Sequence, residues 1–190
     1  MSFKIDEMQG GVDPIDEGSF PSVITGLVTY GVQPQTDWQT GEPKGSEKRL
    51  ALTYEFPTES VEVEQEDGTV KTVARRLTKE YKVSSHNKAG IMVLIRSIAP
   101  DAEELTDLLG VGCSVEVGRT STGKAKVKAV APLMKGIETP TPMDGTVSFD
   151  FYNPFEADFK SINKWQQDMI VSADDYNGFA AEWVSRSEDY

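Results

Sequence analysis

A mainly β fold with a few helices, an α+β domain, is what this sequence predicts, and three observations predict it. Apolar and polar residues alternate with period two on either side of glycine-bearing turns, the mark of paired strands. Two shorter stretches, 85–98 and 101–109, carry apolar residues at 3–4 spacing instead, as amphipathic helices do. The hydrophobic share of 38%, with eight Phe, six Tyr and three Trp, is enough for one core, while no apolar run approaches a membrane span. At 190 residues the chain suits one domain with extensions.

In chain order, residues 1–17 are polar, broken by Gly10-Gly11, and read as a flexible acidic arm. Residues 18–33 alternate well, with Phe20, Ile24, Val28, Tyr30 and Val32 on one side and Gly26 at the centre. They form either one long strand bent at the glycine or two short strands with a kink. Residues 34–47 are a loop by composition, and Trp38 within it is either a lid on the core or an exposed platform for a base. A strand at 49–56 sets Leu50, Leu52, Tyr54 and Phe56 on one face. An acidic connection at 57–70 turns at Asp67-Gly68 and leads to a strand at 71–84 with Leu77 and Tyr81 inward. Arg75 and Lys79 fall on that same nominal face, which requires a bulge or a strand end projecting past the core.

The helix at 85–98 is capped by Ser84 or Ser85 and stopped before Pro100; Leu105, Leu108 and Leu109 form the stripe of the short helix at 101–109. A hairpin follows at 112–133. Cys113, Val115 and Val117 alternate with polar residues before the Ser121-Thr122-Gly123 turn, and Lys124, Lys126 and Lys128 alternate with Ala125, Val127 and Ala129 after it. Prolines then mark 134–156 as a surface strap, a helix is expected near 159–171, and a polar tail closes the chain.

The order strand, strand, strand, helix, strand, strand, with a long bent first strand, is that of an OB-fold, a five-stranded Greek-key barrel. An SH3-like barrel or a small split sandwich shares most of these signals, but the helix between strands 3 and 4 argues for the OB order. The expected organisation is an arm at 1–17, the barrel at 18–135, and an acidic extension at 136–190 with one helix and a tail.

The net charge of −12 is carried by the two ends. Residues 1–17 hold one basic and five acidic side chains, 18–135 hold 15 of each, and 136–190 hold three basic and 11 acidic. A balanced middle can still present a basic groove if its acids cluster elsewhere. One cysteine, Cys113, excludes an internal disulfide and suits a reducing cytoplasm, and one histidine with it cannot build the usual zinc site. The start has no secretory signal, and the expected location is cytoplasmic with no membrane association. No triad order, Walker loop or dinucleotide turn is present, so neither an enzyme nor a cofactor is implied.

The ordered set GSFPSVITGLVTYGVQ, LALTYEF, TKEYKVSSHNKAGIMVLIRSI, DLLGVGCSVEV, VKAVAPLMKG and INKWQQDMIVSADDY resembles the tailed-phage single-stranded DNA-binding proteins of OB fold, over roughly residues 18–176. The resemblance implies a non-enzymatic coat for single-stranded DNA during phage replication or recombination, with phage or host replication or recombination proteins as partners. The acidic run Glu59 to Asp67 has no match in that pattern.

Candidate phosphate ligands are Lys48, Arg49, Arg76, Lys82, Arg119, Lys124, Lys126 and Lys128, with Arg75 and Lys79. Lysines at every second strand position stand about 6.6–7 Å apart, close to the phosphate repeat of one nucleic-acid strand. The same stripe also serves as a solvated face that discourages edge pairing. Candidate stacking residues are Trp38, Tyr54 and Tyr81, with the core as the favoured reading of the tyrosines. Glu188, Asp189 and Tyr190 resemble in kind the acidic tails that recruit partners. An acidic extension can also compete with DNA for a basic groove, in which case truncation after about Ser172 tightens binding. The competing class is a non-catalytic protein-interaction or virion structural barrel.

Overall fold

The computed structural model describes residues 14–65 and 67–185. The arm up to residue 13 and the tail candidates Glu188, Asp189 and Tyr190 lie outside them. Strand β1 (Gly18–Thr36) is one continuous element. Its first third pairs antiparallel with β4 (Gly112–Arg119), and from Val23 onward it pairs with β2 (Pro43–Glu64). The register shifts between Ile24 and Gly26; a Cβ on Gly26 would stand 2.8 Å from Thr53 Cβ, so only glycine admits the approach of β2. A second shift at Gly31, with φ +71, lets Phe151 and Asp175 approach within what would be 2.6 Å of a Cβ.

The first shift changes which side chains share a face. Ile24 and Val28, expected on one side, pack in different clusters. Strand β2 is far longer than the expected 49–56. Its ladder begins at Thr36↔Pro43 and runs, with β3 (Val70–Lys82), out to Glu64↔Val70. Most of the loop at 34–47 and of the acidic connection at 57–70 is therefore strand. The sequence hides this because a two-stranded ribbon wet on both faces needs no apolar alternation. The turn does fall at Asp67-Gly68, where Asp67 Oδ1 accepts from the Thr69 amide at 2.9 Å and Gly68 has φ +79.

Helix α1 (Gly90–Ile98) starts later than expected. Ser84 Oγ accepts from the His86 amide, which closes a turn before the helix rather than capping it. The helix at 101–109 is one 3-10 turn, Leu105–Leu108, whose Asp107 carboxylate accepts from the Glu103 and Glu104 amides and is held below its ordinary pKa by them. Strand β5 (Ala125–Ala131) pairs with β4 as expected. The strap contains a sixth strand, β6 (Val147–Phe149), parallel to β1 at Gly26–Val28. The single helix near 159–171 is two, α2 (Glu156–Ser161) and α3 (Lys164–Val171), because Asn163 caps the second in a box with Gln166. A short α4 (Ala181–Ser185) follows.

The sheet order is β3-β2-β1-β4-β5, with β6 beside β1. The outer strands β3 and β5 approach each other, but no ladder among the described residues joins them, so the sheet is not closed into a barrel. It has six strands, not the expected five. On one side Ile24, Leu27, Leu50, Leu52, Tyr54, Phe56, Val115 and Val117 enclose a core capped by Ile91 and Leu94 of α1. Ile15 is buried there too, so the end of the predicted arm is part of the fold. On the other side Val28, Tyr30 and Ala51 are covered by Phe149, Phe151, Phe159, Ile162 and Ile170 of the extension. Each such large side chain contributes about 1.5–3 kcal/mol when fully buried. No helix among the described residues is long and apolar enough to cross a membrane.

Candidate nucleic-acid interface

Trp38 stands in the β1–β2 hairpin loop. Asp37 Oδ1 accepts from the Gln39 amide at 2.8 Å and the Thr40 amide at 3.1 Å, which holds its carboxyl below the ordinary range. The Asp37 amide donates to Glu42 O and Gly41 donates back to Asp37 O, so the loop is internally closed. A closed loop displays its side chains at low entropic cost on binding. Trp38 is 86% exposed, the most exposed of the large hydrophobic side chains among the described residues, which excludes the lid. Lys44 Nζ lies 3.8 Å from Asp37 Oδ2 beside it.

The β2–β3 register separates the other candidates into two faces. Arg49 opposes Lys82, and Arg76 opposes Glu55, on the side away from the leucine core. Arg75, opposite Phe56, and Lys79, opposite Leu52, lie on the leucine side. There the Lys79 ammonium sits 5.5 Å from the Tyr81 ring and burial lowers its pKa. Arg119 opposes Ala125, and its Nη1 is buried without a hydrogen-bond partner among the described residues.

The cations of the outer face are already engaged. Arg49 bonds Glu47 at 2.9 Å and Glu80 at 3.0 Å, and Lys82 bonds Glu47 at 2.8 Å. Lys82 foremost holds Glu47 below its ordinary pKa. Arg76 bonds Glu55 at 2.7 Å and Asp144 of the extension at 2.9 Å. Glu55 is wholly buried and its other oxygen accepts from the Met143 amide at 2.6 Å. Removing Arg76 would leave a buried carboxylate without its countercharge, so its first role is structural. A cavity of about 140 Å³ between β1–β2 and α2–α3, with Arg76, Asp144, Thr25, Thr53 and Gln166 in its walls, therefore offers an anion no surplus positive charge.

The lysine stripe is less regular than its sequence. Lys124 belongs to the turn, Lys126 opposes Gly118, and a register shift between Glu116 and Val117 leaves Lys128 between rows, bonded to Glu116 at 2.5 Å. The same shift exposes Ala129, expected inward. Tyr54 leaves the stacking set. It is wholly buried, its hydroxyl 2.7 Å from that of Tyr81, and burial pushes its pKa up. Trp38 and the Lys124 turn lie at opposite ends of β1, since β1 meets β4 at its start and the Trp38 loop at its end. Lys48 carries a contact that its sequence neighbours do not signal: its ammonium stands 4.8 Å over the ring of Tyr152. Nothing in the proline-broken stretch around Tyr152 signals it, because strand β2 is distant in sequence.

No family model matches this chain, and no curated protein or solved structure is significantly similar to it.

Proposed function

We propose that the protein binds single-stranded DNA without catalysis, as a cytoplasmic coat for strands exposed during phage replication or recombination, on a partly open OB-type barrel. The observation that carries this reading is Trp38, 86% exposed on a loop closed by its own hydrogen bonds, with Lys44 beside it. An exposed indole is a stacking platform for any base. The strand order β3-β2-β1-β4-β5, with β3 and β5 close together, supports the barrel, because OB barrels are often incompletely closed. Lys126 and the Lys124 turn supply cations with no carboxylate bound among the described residues, and phosphate must displace Glu47 and Glu80 to reach Arg49 and Lys82.

The ion-paired outer face favours a second reading, a non-catalytic protein-interaction barrel, because paired charges attract polyanions weakly. Equilibrium binding of labelled oligo-dT across a salt series separates the two. Under the first reading log K falls linearly with log salt, by about 0.7 for each phosphate neutralised on a single strand. A folded, β-rich protein that leaves the oligonucleotide free at low salt sinks it.

A further inference from the structure

We infer that Tyr152, on the C-terminal extension, is a second stacking site for single-stranded DNA and that Lys48 is its paired phosphate ligand; this rests on the reading above. Tyr152 is 55% exposed, yet it is oriented. Its amide donates to Asp150 Oδ1 at 3.0 Å and its hydroxyl donates to Asp175 Oδ2 at 3.3 Å. Its neighbour Phe151 is buried in the second core, with the two ring centroids 5.2 Å apart at 73°. Asp175 is itself fixed, since its Oδ1 accepts from the Val32 amide at 2.8 Å and the adjacent Asp174 amide donates to Val32 O. The ring is thus fastened beside β1 while more than half exposed, a preorganised surface that loses little freedom on binding.

Lys48 supplies the charge. Its ammonium lies over this ring, with no carboxylate bonded to it among the described contacts, unlike Arg49 and Lys82. An ammonium held only by an aromatic face is easily exchanged for a stronger anion. A base that takes its place on the ring frees it for the phosphate of the same nucleotide. The spacing suits a continuous strand. Lys48 pairs with Val32, four ladder rows from the last pair Thr36↔Pro43, beyond which lies Trp38. At roughly 3.3 Å per row that is about 13 Å to the end of the ladder, a distance that about two extended nucleotides cover.

The test is oligo-dT affinity over a salt series for the full chain and for Trp38→Ala, Tyr152→Ala, Tyr152→Phe and Lys48→Ala, each checked for an unchanged thermal midpoint. Tyr152→Ala should weaken binding about 5- to 150-fold with the salt slope kept, as loss of one stacked base does. Tyr152→Phe should stay within about twofold of the parent, and Lys48→Ala should lower the slope by about one phosphate's share. A bromouracil-substituted oligonucleotide, irradiated on the unaltered protein, should crosslink to Tyr152, which settles the matter if the alanine variant misfolds. Parent binding that weakens in Trp38→Ala but not in Tyr152→Ala, or crosslinks that map only to Trp38, overturns this inference and leaves the function standing. No binding by the parent overturns both.

Discussion

The two sides of the β1–β2 ribbon are closed by different means. On one, the sheet curls over its own leucines and valines and α1 caps them. On the other, among the described residues, Val28, Tyr30 and Ala51 are covered by residues from the last third of the chain, through an aromatic cluster. There Phe149 and Phe159 lie 5.6 Å apart, Phe151 and Phe179 5.7 Å, and Phe179 and Trp183 5.4 Å. Such pairs add about 0.5–1.5 kcal/mol each beyond their burial. The contrast teaches that net acidity does not make a segment a tail: the extension carries most of the net negative charge and also covers one side of the ribbon.

Truncation after Ser172 sharpens that contrast most. It removes buried Ala173 and Ala180, the partly buried Tyr176, Phe179 and Trp183, and the Asp174–Val32 backbone bond. The expected loss is at least about 3 kcal/mol of stability, as for deletion of a large aromatic, read as a lower urea midpoint. A truncated chain with the parent's midpoint would restore the view of a detachable competitor for DNA.

Tyr54→Phe probes the first core. It leaves the buried Tyr81 hydroxyl without its 2.7 Å partner and should destabilise by about 1–3 kcal/mol. Oligonucleotide affinity should not change, since no surface of Tyr54 is exposed. A large affinity loss at constant stability would return Tyr54 to the binding surface.

Glu47→Gln probes the ion-paired face. Glu47 has a lowered pKa in the folded state, so its pairing stabilises above the ordinary carboxylate range and is lost as pH falls through the lowered value. Near neutral pH it therefore holds Lys82 and Arg49 away from phosphate. The glutamine variant should bind oligo-dT several-fold tighter with a steeper salt slope, and equal affinity would place the DNA elsewhere. The smallest effect concerns Cys113. Burial pushes its thiol up to about 11, partly offset by the contact with Ser22 Oγ at 3.3 Å, so a thiol reagent should react with it only at the rate of unfolding.

Much of the first core was legible in the sequence, because Leu50, Leu52, Tyr54, Phe56, Val115 and Val117 alternate where one face is dry. The second core was not. Strand β6 has three residues and exists only by pairing with β1, and the alternation of β1 slips at Gly26, which sends Ile24 and Val28 to different sides. The site divides in the same way. Trp38 could be singled out because an indole in a polar loop has few explanations. The pairing of Arg49, Arg76 and Lys82 could not be foreseen, because Glu80 and Asp144 reach them only through cross-strand register and the fold of the extension. Tyr54 stayed ambiguous until the Tyr81 hydroxyl supplied its partner.

The central claim is that the exposed indole meets a base. Tryptophan emission during an oligo-dT titration, compared between the parent and Trp38→Phe at low and moderate salt, tests it directly, since Trp165 and Trp183 pack against the second core. Saturable quenching that weakens with salt and is lost in the variant is the expected result. Quenching of equal amplitude in Trp38→Phe, or none in a folded parent at low salt, would contradict it.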